Sequence, residues 1–237
     1  MRHARIERWS RGNSPIHKRH AAARILATAG LLLSIATLPP AAYRAYVLYF
    51  ALLLFTAAAA RLPPLAMVWT AAAVLPFALC FALATALAGD SGLAVRLVIR
   101  SYLSSFAALL LIATTPMPDL VAGLEWLRAP RFLTQVMQFL YRYLIVLMEE
   151  ANAMRQAGAA RAGSLRALQF RQAAGAAGVL FARSYARAEA IHRAMLARGF
   201  EGRLPGFRRK RFTFADAGFL AIAASLVAGV RVLLWRS

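Results

Sequence analysis

The stretch Ser184–Pro205 reads SYARAEAIHRAMLARGFEGRLP and lies between apolar runs without being apolar enough to join them. Its apolar residues recur at helical spacing, whereas its arginines and Glu189 fall largely elsewhere around the helix. One stripe is formed by Ala188, Ile191, Met195 and Leu196. The pattern therefore predicts an amphipathic helix, and not a membrane span.

Two neighbouring residues mark the end of this helix. Gly199 suits the position just past a helix, because glycine adopts a left-handed conformation without a steric penalty from Cβ. Arg198 complements the negative end of the helix dipole. Because Ala197 and Gly199 are small, the guanidinium of Arg198 could enter a narrow groove on a partner. The alternative is an ordinary helix end with an exposed arginine.

Composition sets the class of protein. The chain has 237 residues, of which 61% are hydrophobic, with 29 Lys and Arg against 9 Asp and Glu, and its mean hydropathy is +0.57. A soluble nucleic-acid-binding protein could carry a net charge of +20, but it would not also carry several apolar runs of about 20 residues. We therefore expect a polytopic membrane protein with no nucleic-acid partner. The single cysteine, Cys80, excludes a disulfide within the chain.

Five apolar runs are long enough to cross about 30 Å of hydrocarbon. The predicted transmembrane helices are Ala21–Leu38, Ala41–Ala60, Leu65–Ala88, Leu97–Thr115 and Ala217–Trp235. Clusters of proline and glycine separate the first four runs. Pro76 lies inside the third run and is expected to kink it.

The arginines predict the orientation in the membrane. Residues 1–20 form a basic segment, and no small-residue cleavage site ends the first apolar run before Pro39. Most other basic residues lie between residues 117 and 213, so we expect both regions in the cytoplasm of an inner-membrane protein. The predicted order is a cytoplasmic segment 1–20, spans in 21–115, cytoplasmic or interfacial helices in 116–213, and a last span in 214–237.

A second arginine repeats the pattern seen at Arg198. Arg161 lies between Ala160 and Ala162, with Gly163 directly behind. Small residues also occur before and after this site, at Gly158 and in the run Ala173–Gly178. The glycines Gly158, Gly175 and Gly178 would permit close helix crossing. A flexible joint at 173–178 is the alternative.

Three common catalytic motifs are missing from the sequence, and so are acidic residues in the middle of the predicted spans. It has no G-x-x-x-x-G-K-[S/T], the P-loop motif for ATP hydrolysis. It also lacks H-E-x-x-H, the metalloprotease motif, and G-x-S-x-G, the serine hydrolase motif. All nine acidic residues lie at or outside the ends of the predicted spans, which disfavours an ion-coupled carrier. His3 could bind Cu(II) or Ni(II) only as any third-position histidine does, and we assign no metal site.

The residues from Thr114 to Pro205 resemble the T component of energy-coupling factor (ECF) transporters, the EcfT/CbiQ family. The matching pieces are Thr114-Thr115-Pro116, Asp119-Leu120, Gly123-Leu124, Leu127-Arg128-Ala129-Pro130, Arg142-Tyr143-Leu144, Met148-Glu149-Glu150, the site around Arg161, Ser184–Glu189 and Ala194–Phe200. Ser14-Pro15-Ile16-His17 resembles the family's N-terminal motif, although His20 and Ala21 replace the aspartate and proline that usually follow. Ala162 also separates Arg161 from the glycine that often follows it directly.

The resemblance implies an all-α membrane protein that transmits motion and has no chemistry of its own. Its partners would be two cassette ATPases, which bind the ATP, and a small membrane subunit of the S or CbiM type, which captures the substrate. Arg161 and Arg198, with their small neighbours, would dock into grooves on the two ATPases. The overall pattern is most similar to the cobalt and nickel branch of the family, and this chain itself would hold no metal or cofactor.

Other functions stay open on the sequence alone. The chain could be the T component of a vitamin importer. It could also be a membrane scaffold or stand-alone permease whose basic helices bind anionic lipid without an ATPase. An integral-membrane enzyme is disfavoured, because no catalytic cluster is found.

Overall fold

The computed structural model describes residues 9–10, 12, 14–39, 43–162, 166–202 and 212–235. Within these ranges the regular structure is helical and there is no β-strand. The α-helices are α1 (Ala21–Ala36), α2 (Tyr43–Ala59), α3 (Pro64–Ala71), α4 (Leu75–Leu87), α5 (Ser91–Thr114), α6 (Met117–Trp126), α7 (Arg131–Ala162), α8 (Arg166–Ala197) and α9 (Phe214–Trp235).

The chain forms two compact units. The first, here called the membrane unit, comprises Met1–Arg128 and Arg208–Ser237. The second, here called the α7–α8 unit, comprises Ala129–Phe207. The membrane unit contains α6, which the sequence analysis grouped with the cytoplasmic helices.

Three helical segments of the described residues are long and apolar enough to cross a membrane. They are Pro64–Leu87, which joins α3 to α4, Ser91–Thr114, and Phe214–Val232. Helices α1 and α2 are apolar as well, but they have 16 and 17 residues. The protein is therefore an all-α, multi-pass membrane protein, in which two of the five predicted spans are short.

The third predicted span is irregular next to Pro76, in agreement with the expected kink. A turn of 3₁₀-helix, Ala72–Val74, separates α3 from α4, and Pro76 is the second residue of α4. Proline has no N–H to donate to the preceding turn and its ring crowds that turn, so a regular helix cannot run through this position.

The core of the membrane unit lies among α1, α2, α3 and α5. Tyr49, Phe106 and Met67 are fully buried there, and the hydroxyl of Tyr49 hydrogen-bonds with that of Ser34 at 2.5 Å. On the opposite faces of the spans large apolar side chains are exposed, including Trp69, which is 75% exposed. Exposed apolar side chains on membrane helices contact lipid.

A group of polar residues, here called the polar junction, joins four elements at the start of α1. Its members are His20, Arg24, Thr114, Asp119 and Asp216. The carboxylate of Asp216, in the first turn of α9, accepts hydrogen bonds from the backbone N–H of His20 at 2.9 Å and from the N–H and hydroxyl of Thr213 at 2.9 and 2.6 Å. The start of α9 is thereby fixed to the start of α1.

Arg24 is the buried cation of the polar junction. Its side chain is 3% exposed, and it donates to the backbone carbonyl of Thr114 at the end of α5. Its Nη2 lies 3.9 Å from a carboxylate oxygen of Asp119 on α6. An unpaired buried charge would be costly, so these contacts favour the packing of the end of α5 and the first turn of α6 against α1.

His20 stands where the family that this sequence resembles usually has an aspartate. The structure shows how the start of α1 accommodates the histidine. His20 is the N-cap of α1, where its Nδ1 accepts the N–H of Ala22 at 3.2 Å. Its ring packs against those of Trp126 and Phe212, with centroids 5.7 Å away in each case, and these two rings stack on each other at 5.2 Å. A histidine can therefore cap this helix and also fill an aromatic cluster.

Helix α6 packs on α1 through Gly123. A Cβ built on Gly123 would lie 3.1 Å from the carbonyl carbon of Ala21 and 2.9 Å from the side chain of Ile25. Gly30, in contrast, has nothing within 4 Å of such an atom. Gly123, unlike Gly30, is thus required for close packing of two helix backbones.

We predict that Gly123→Ala lowers the stability of the membrane unit by about 1 to 3 kcal/mol, because the added methyl group forces α6 away from the backbone of α1. The measurement is thermal unfolding of the full-length protein in mild detergent. Gly30→Ala is the matched control, and it should be neutral or slightly stabilising. Equal effects of the two substitutions would contradict the packing role of Gly123.

Candidate functional site

The end of α8 has the geometry of a Schellman cap. The N–H of Phe200 donates to the carbonyl of Met195 at 3.0 Å, and the N–H of Gly199 donates to the carbonyl of Leu196 at 3.0 Å. Gly199 has a φ of +77°, in the left-handed region that favours glycine. The predicted role of Gly199 as the residue just past the helix is confirmed.

Arg198 lies directly on this cap and is exposed. Its backbone N–H donates to the carbonyl of Met195 at 3.1 Å, so the main chain that carries the guanidinium is fixed. Ala197 and Gly199 are exposed as well, and neither has a bulky side chain to shield Arg198. The structure thus presents a cation at a rigid helix end with open space beside it.

Arg161 is in the last turn of the other long helix. Ala160, Arg161 and Ala162 are helical, and α7 ends at Ala162. The side chain of Arg161 and the residue Gly163 lie outside the described residues. Sequence and structure therefore agree that both arginines are at helix ends.

Arg161 and Arg198 are separated by the whole length of α8. Helix α8 has 32 residues and begins at Arg166, just after the end of α7, and it ends at Ala197. Its length is about 45 Å at the rise of an α-helix. One arginine thus precedes the start of α8 and the other follows its end, so they are too far apart to enter a single groove.

Glu150 joins the two long helices. Its carboxylate oxygens lie 3.1 Å from Nη1 of Arg183 and 3.3 Å from Nη2 of Arg187. The two arginines are four residues apart and share one face of α8, so a single carboxylate of α7 binds both. Glu150 is 17% exposed, which strengthens these pairs relative to fully solvated ones.

An apolar groove of about 420 Å³ lies between α7 and α8. The predicted apolar stripe of α8 contributes three of its four members, and the aromatic rings of Phe139 and Tyr143 on α7 stack with centroids 6.2 Å apart. Residues lining it are Val136, Phe139, Leu140, Tyr143, Leu147, Ser184, Arg187, Ala188, Ile191 and Met195. Leu196, the fourth member of the stripe, is exposed.

The glycines of α8 face open space. Helix α8 is continuous through Gly175 and Gly178, so this segment is helical rather than a break in the helix. A Cβ built on either glycine would meet nothing within 4 Å. Gly158 is half-buried within α7. Both glycines thus lie on an open surface of α8.

The histidines of the described part do not form a metal site. No three His, Cys, Asp or Glu side chains are grouped to hold a metal ion in that part of the chain. His17 is bonded to the hydroxyl of Ser14 at 2.7 Å and to the carbonyl of Trp9 at 3.0 Å. His3 lies outside the described residues.

The fold and the two helix ends define a class of protein: a multi-pass helical membrane protein with two long helices, α7 and α8, that are not apolar enough to be spans. Within this class the chain belongs to the CbiQ family. The family model described as "Cobalt transport protein" matches residues 12–207. The protein is therefore a member of a membrane transport family.

Individual relatives agree with the family. Cobalt transport protein CbiQ of Rhodobacter capsulatus is 32% identical over 199 residues, which cover 78% of this chain and 80% of that protein. Nickel permease LarQ of Lactiplantibacillus plantarum is 29% identical over 123 residues, covering 52% and 44%. An uncharacterized protein of Methanocaldococcus jannaschii is 33% identical over 97 residues, covering 40% and 36%.

We predict that Glu150→Gln loosens the α7–α8 pair, because both arginine contacts lose their counter-charge. Hydrogen exchange of the amides around Arg183 and Arg187 should become about fivefold faster, the effect of about 1 kcal/mol. Glu149→Gln is the matched control, since Glu149 is an exposed neighbour with no described ion pair. Similar exchange in both variants would show that Glu150 does not hold the helices together.

Proposed function

We propose that this protein is the coupling (T) subunit of an ECF-type importer for cobalt or nickel ions. In this role it transmits the ATP-driven motion of two cassette ATPases to a membrane subunit that captures the ion. The observation that carries the proposal is the exposed Arg198 on a rigid helix end, in a chain that belongs to the CbiQ family. The names of the cobalt and nickel relatives support the choice of ion.

Arg161 and Arg198 dock the two ATPases, one each. A guanidinium forms two parallel hydrogen bonds with a carboxylate, and such a pair is strong when water is partly excluded. The small neighbours Ala160, Ala162, Ala197 and Gly199 let the arginine enter a narrow groove. The distance of about 45 Å along α8 fits two separate partners rather than one.

Helices α7 and α8 carry the motion. Both are 32 residues long, and Glu150 holds them side by side through Arg183 and Arg187. A continuous helix resists bending, so displacement at the Arg198 end moves the whole of α8. The chain needs no catalytic group and no cofactor for this role, because the ATPases bind the ATP.

The substrate-capture subunit, of the S or CbiM type, binds the apolar surface of the α7–α8 unit. This surface includes the groove between the helices and the open faces of Gly175 and Gly178. Phe132 and Phe181 are 77% and 72% exposed, and exposed apolar area of this extent marks an interaction surface. The metal ion is held by that subunit and not by this chain.

The proposed orientation places the N-terminus in the cytoplasm and the protein in the inner membrane. Residues 1–20 and 116–213 then face the cytoplasm or its interface, while 21–115 and 214–237 carry the spans. The excess of arginine in the first two regions supports this arrangement.

We predict that Arg198→Glu greatly reduces binding of the cassette ATPases, because the reversed charge repels the carboxylate that the arginine would meet. A tagged pull-down in mild detergent should show a loss of affinity of at least about thirtyfold. Arg193→Glu is the matched control, an exposed arginine on the same helix away from the cap. If the wild type retains no ATPase even with nucleotide present, the lipid-binding scaffold becomes the better proposal.

We predict that cells producing the complex take up radioactive cobalt or nickel, and that Arg161→Glu combined with Arg198→Glu abolishes the uptake. The physical reason is that neither ATPase can then drive the membrane subunit. The variant should still reach the membrane, as checked by immunoblotting of membrane fractions. Uptake of a vitamin, with no uptake of either metal, would contradict the assigned substrate.

A further inference from the structure

A long groove runs between α1 and α9 on the surface of the membrane unit. Its volume is about 600 Å³. Its lining is almost entirely apolar or small, comprising Leu26, Ala27, Gly30, Leu33, Ser34 and Thr37 of α1 and its end, with residues of α9 from Leu220 to Arg231. Ser34 contributes no free hydroxyl, because its Oγ is bonded to Tyr49. The body of the groove therefore suits hydrocarbon.

Two arginines donate to the chain at the C-terminal end of α1, where this groove ends. Arg231, which is exposed, donates to the hydroxyl of Thr37, and Arg100, which is half-buried, donates to the carbonyl of Leu38 and, at 3.0 Å, to the hydroxyl of Tyr46. Each of these acceptors is neutral. In the part of the chain that the structure describes, no carboxylate forms an ion pair with either arginine.

The same end of the bundle is positively charged as a whole. It carries the end of α1, the start of α2, the turn between α4 and α5, and the end of α9. Its described charged residues are Arg44, Arg96, Arg100 and Arg231, with Asp90 as the single acid. Asp90 is used as the N-cap of α5, where it accepts the N–H of Leu93 at 2.8 Å. With four arginines against one aspartate, the described residues at this end carry an excess of positive charge.

We propose that the groove between α1 and α9 binds one anionic glycerophospholipid, with an acyl chain along the apolar lining and the phosphate on Arg231, at the end of α1 where Arg100 adds positive charge. The groove extends along α1 from Leu26 to Thr37, about 16 Å at the rise of a helix. This matches half of the hydrocarbon thickness, about 15 Å, which is the depth of one leaflet. Arginine binds phosphate oxygens through two hydrogen bonds at once.

The bound lipid completes the packing of α9. Leu26 and Leu33, which line the groove, are 40% and 67% exposed, and little of the segment Phe214–Val232 is buried. Along the groove, α9 therefore contacts α1 with gaps that hydrocarbon can fill. The lipid thus acts as a structural partner of this helix, independently of the ATPase docking sites.

The test is native mass spectrometry of the full-length protein in mild detergent, titrated with dioleoyl phosphatidylglycerol or dioleoyl phosphatidylcholine. The two lipids share their acyl chains and differ in net charge. We expect the wild type to prefer phosphatidylglycerol by about tenfold, and Arg231→Gln to lose that preference. Arg44→Gln, which removes an exposed arginine outside the groove, should keep it.

A second variant tests the groove itself. Gly30→Leu places a large side chain in the groove, and nothing lies within 4 Å of the position of its Cβ. It should fold normally and weaken the binding of both lipids. The proposal is overturned if Arg231→Gln keeps the wild-type preference, or if Gly30→Leu binds both lipids as tightly as the wild type. Full competition by inorganic phosphate would likewise overturn it, because the site would then be one for a simple anion.

Discussion

The buried guanidinium of Arg24 constrains how the membrane unit is assembled. A cation with 3% exposure must be matched by acceptors and opposite charge, and these come from other elements: the carbonyl at the end of α5, Asp119 of α6 and the nearby Asp216 of α9. Asp216 in turn binds the backbone at the start of α1. The first helix, the last helix and α6 therefore depend on one another, although nearly 200 residues separate His20 from Asp216.

Much of the fold could be predicted from local sequence. Continuous apolar runs indicate spans, Pro76 indicates the break between α3 and α4, and Gly199 after an amphipathic stripe indicates the end of α8. Each of these signals acts within a few residues of the feature it determines. The short lengths of α1 and α2 were harder to foresee, since apolar residues continue past the helix ends.

The polar junction and the Glu150 contacts could not be predicted in the same way. Asp216 and Asp119 stand at span ends, where acidic residues are common, and nothing local indicates which distant group they bind. Glu149 and Glu150 are adjacent, and only the rotation of α7 determines which of them faces α8. The sequence did indicate that α8 has two cations on one helix face, because Arg183 and Arg187 are four residues apart. It did not indicate which carboxylate they bind. The position of α6 in the membrane unit likewise depends on Gly123 packing against α1.

Helix α8 has a further mechanical consequence. It runs unbroken for 32 residues, with Arg161 just before its beginning and Arg198 just after its end. In the proposed complex, a joint motion of both ATPases would carry this helix along without turning it. A change in the spacing between them would pivot it, because a stiff helix held near both ends cannot change its length. In such a subunit the spacing of the two ATPases would set the tilt of α8, and their joint displacement would set its position.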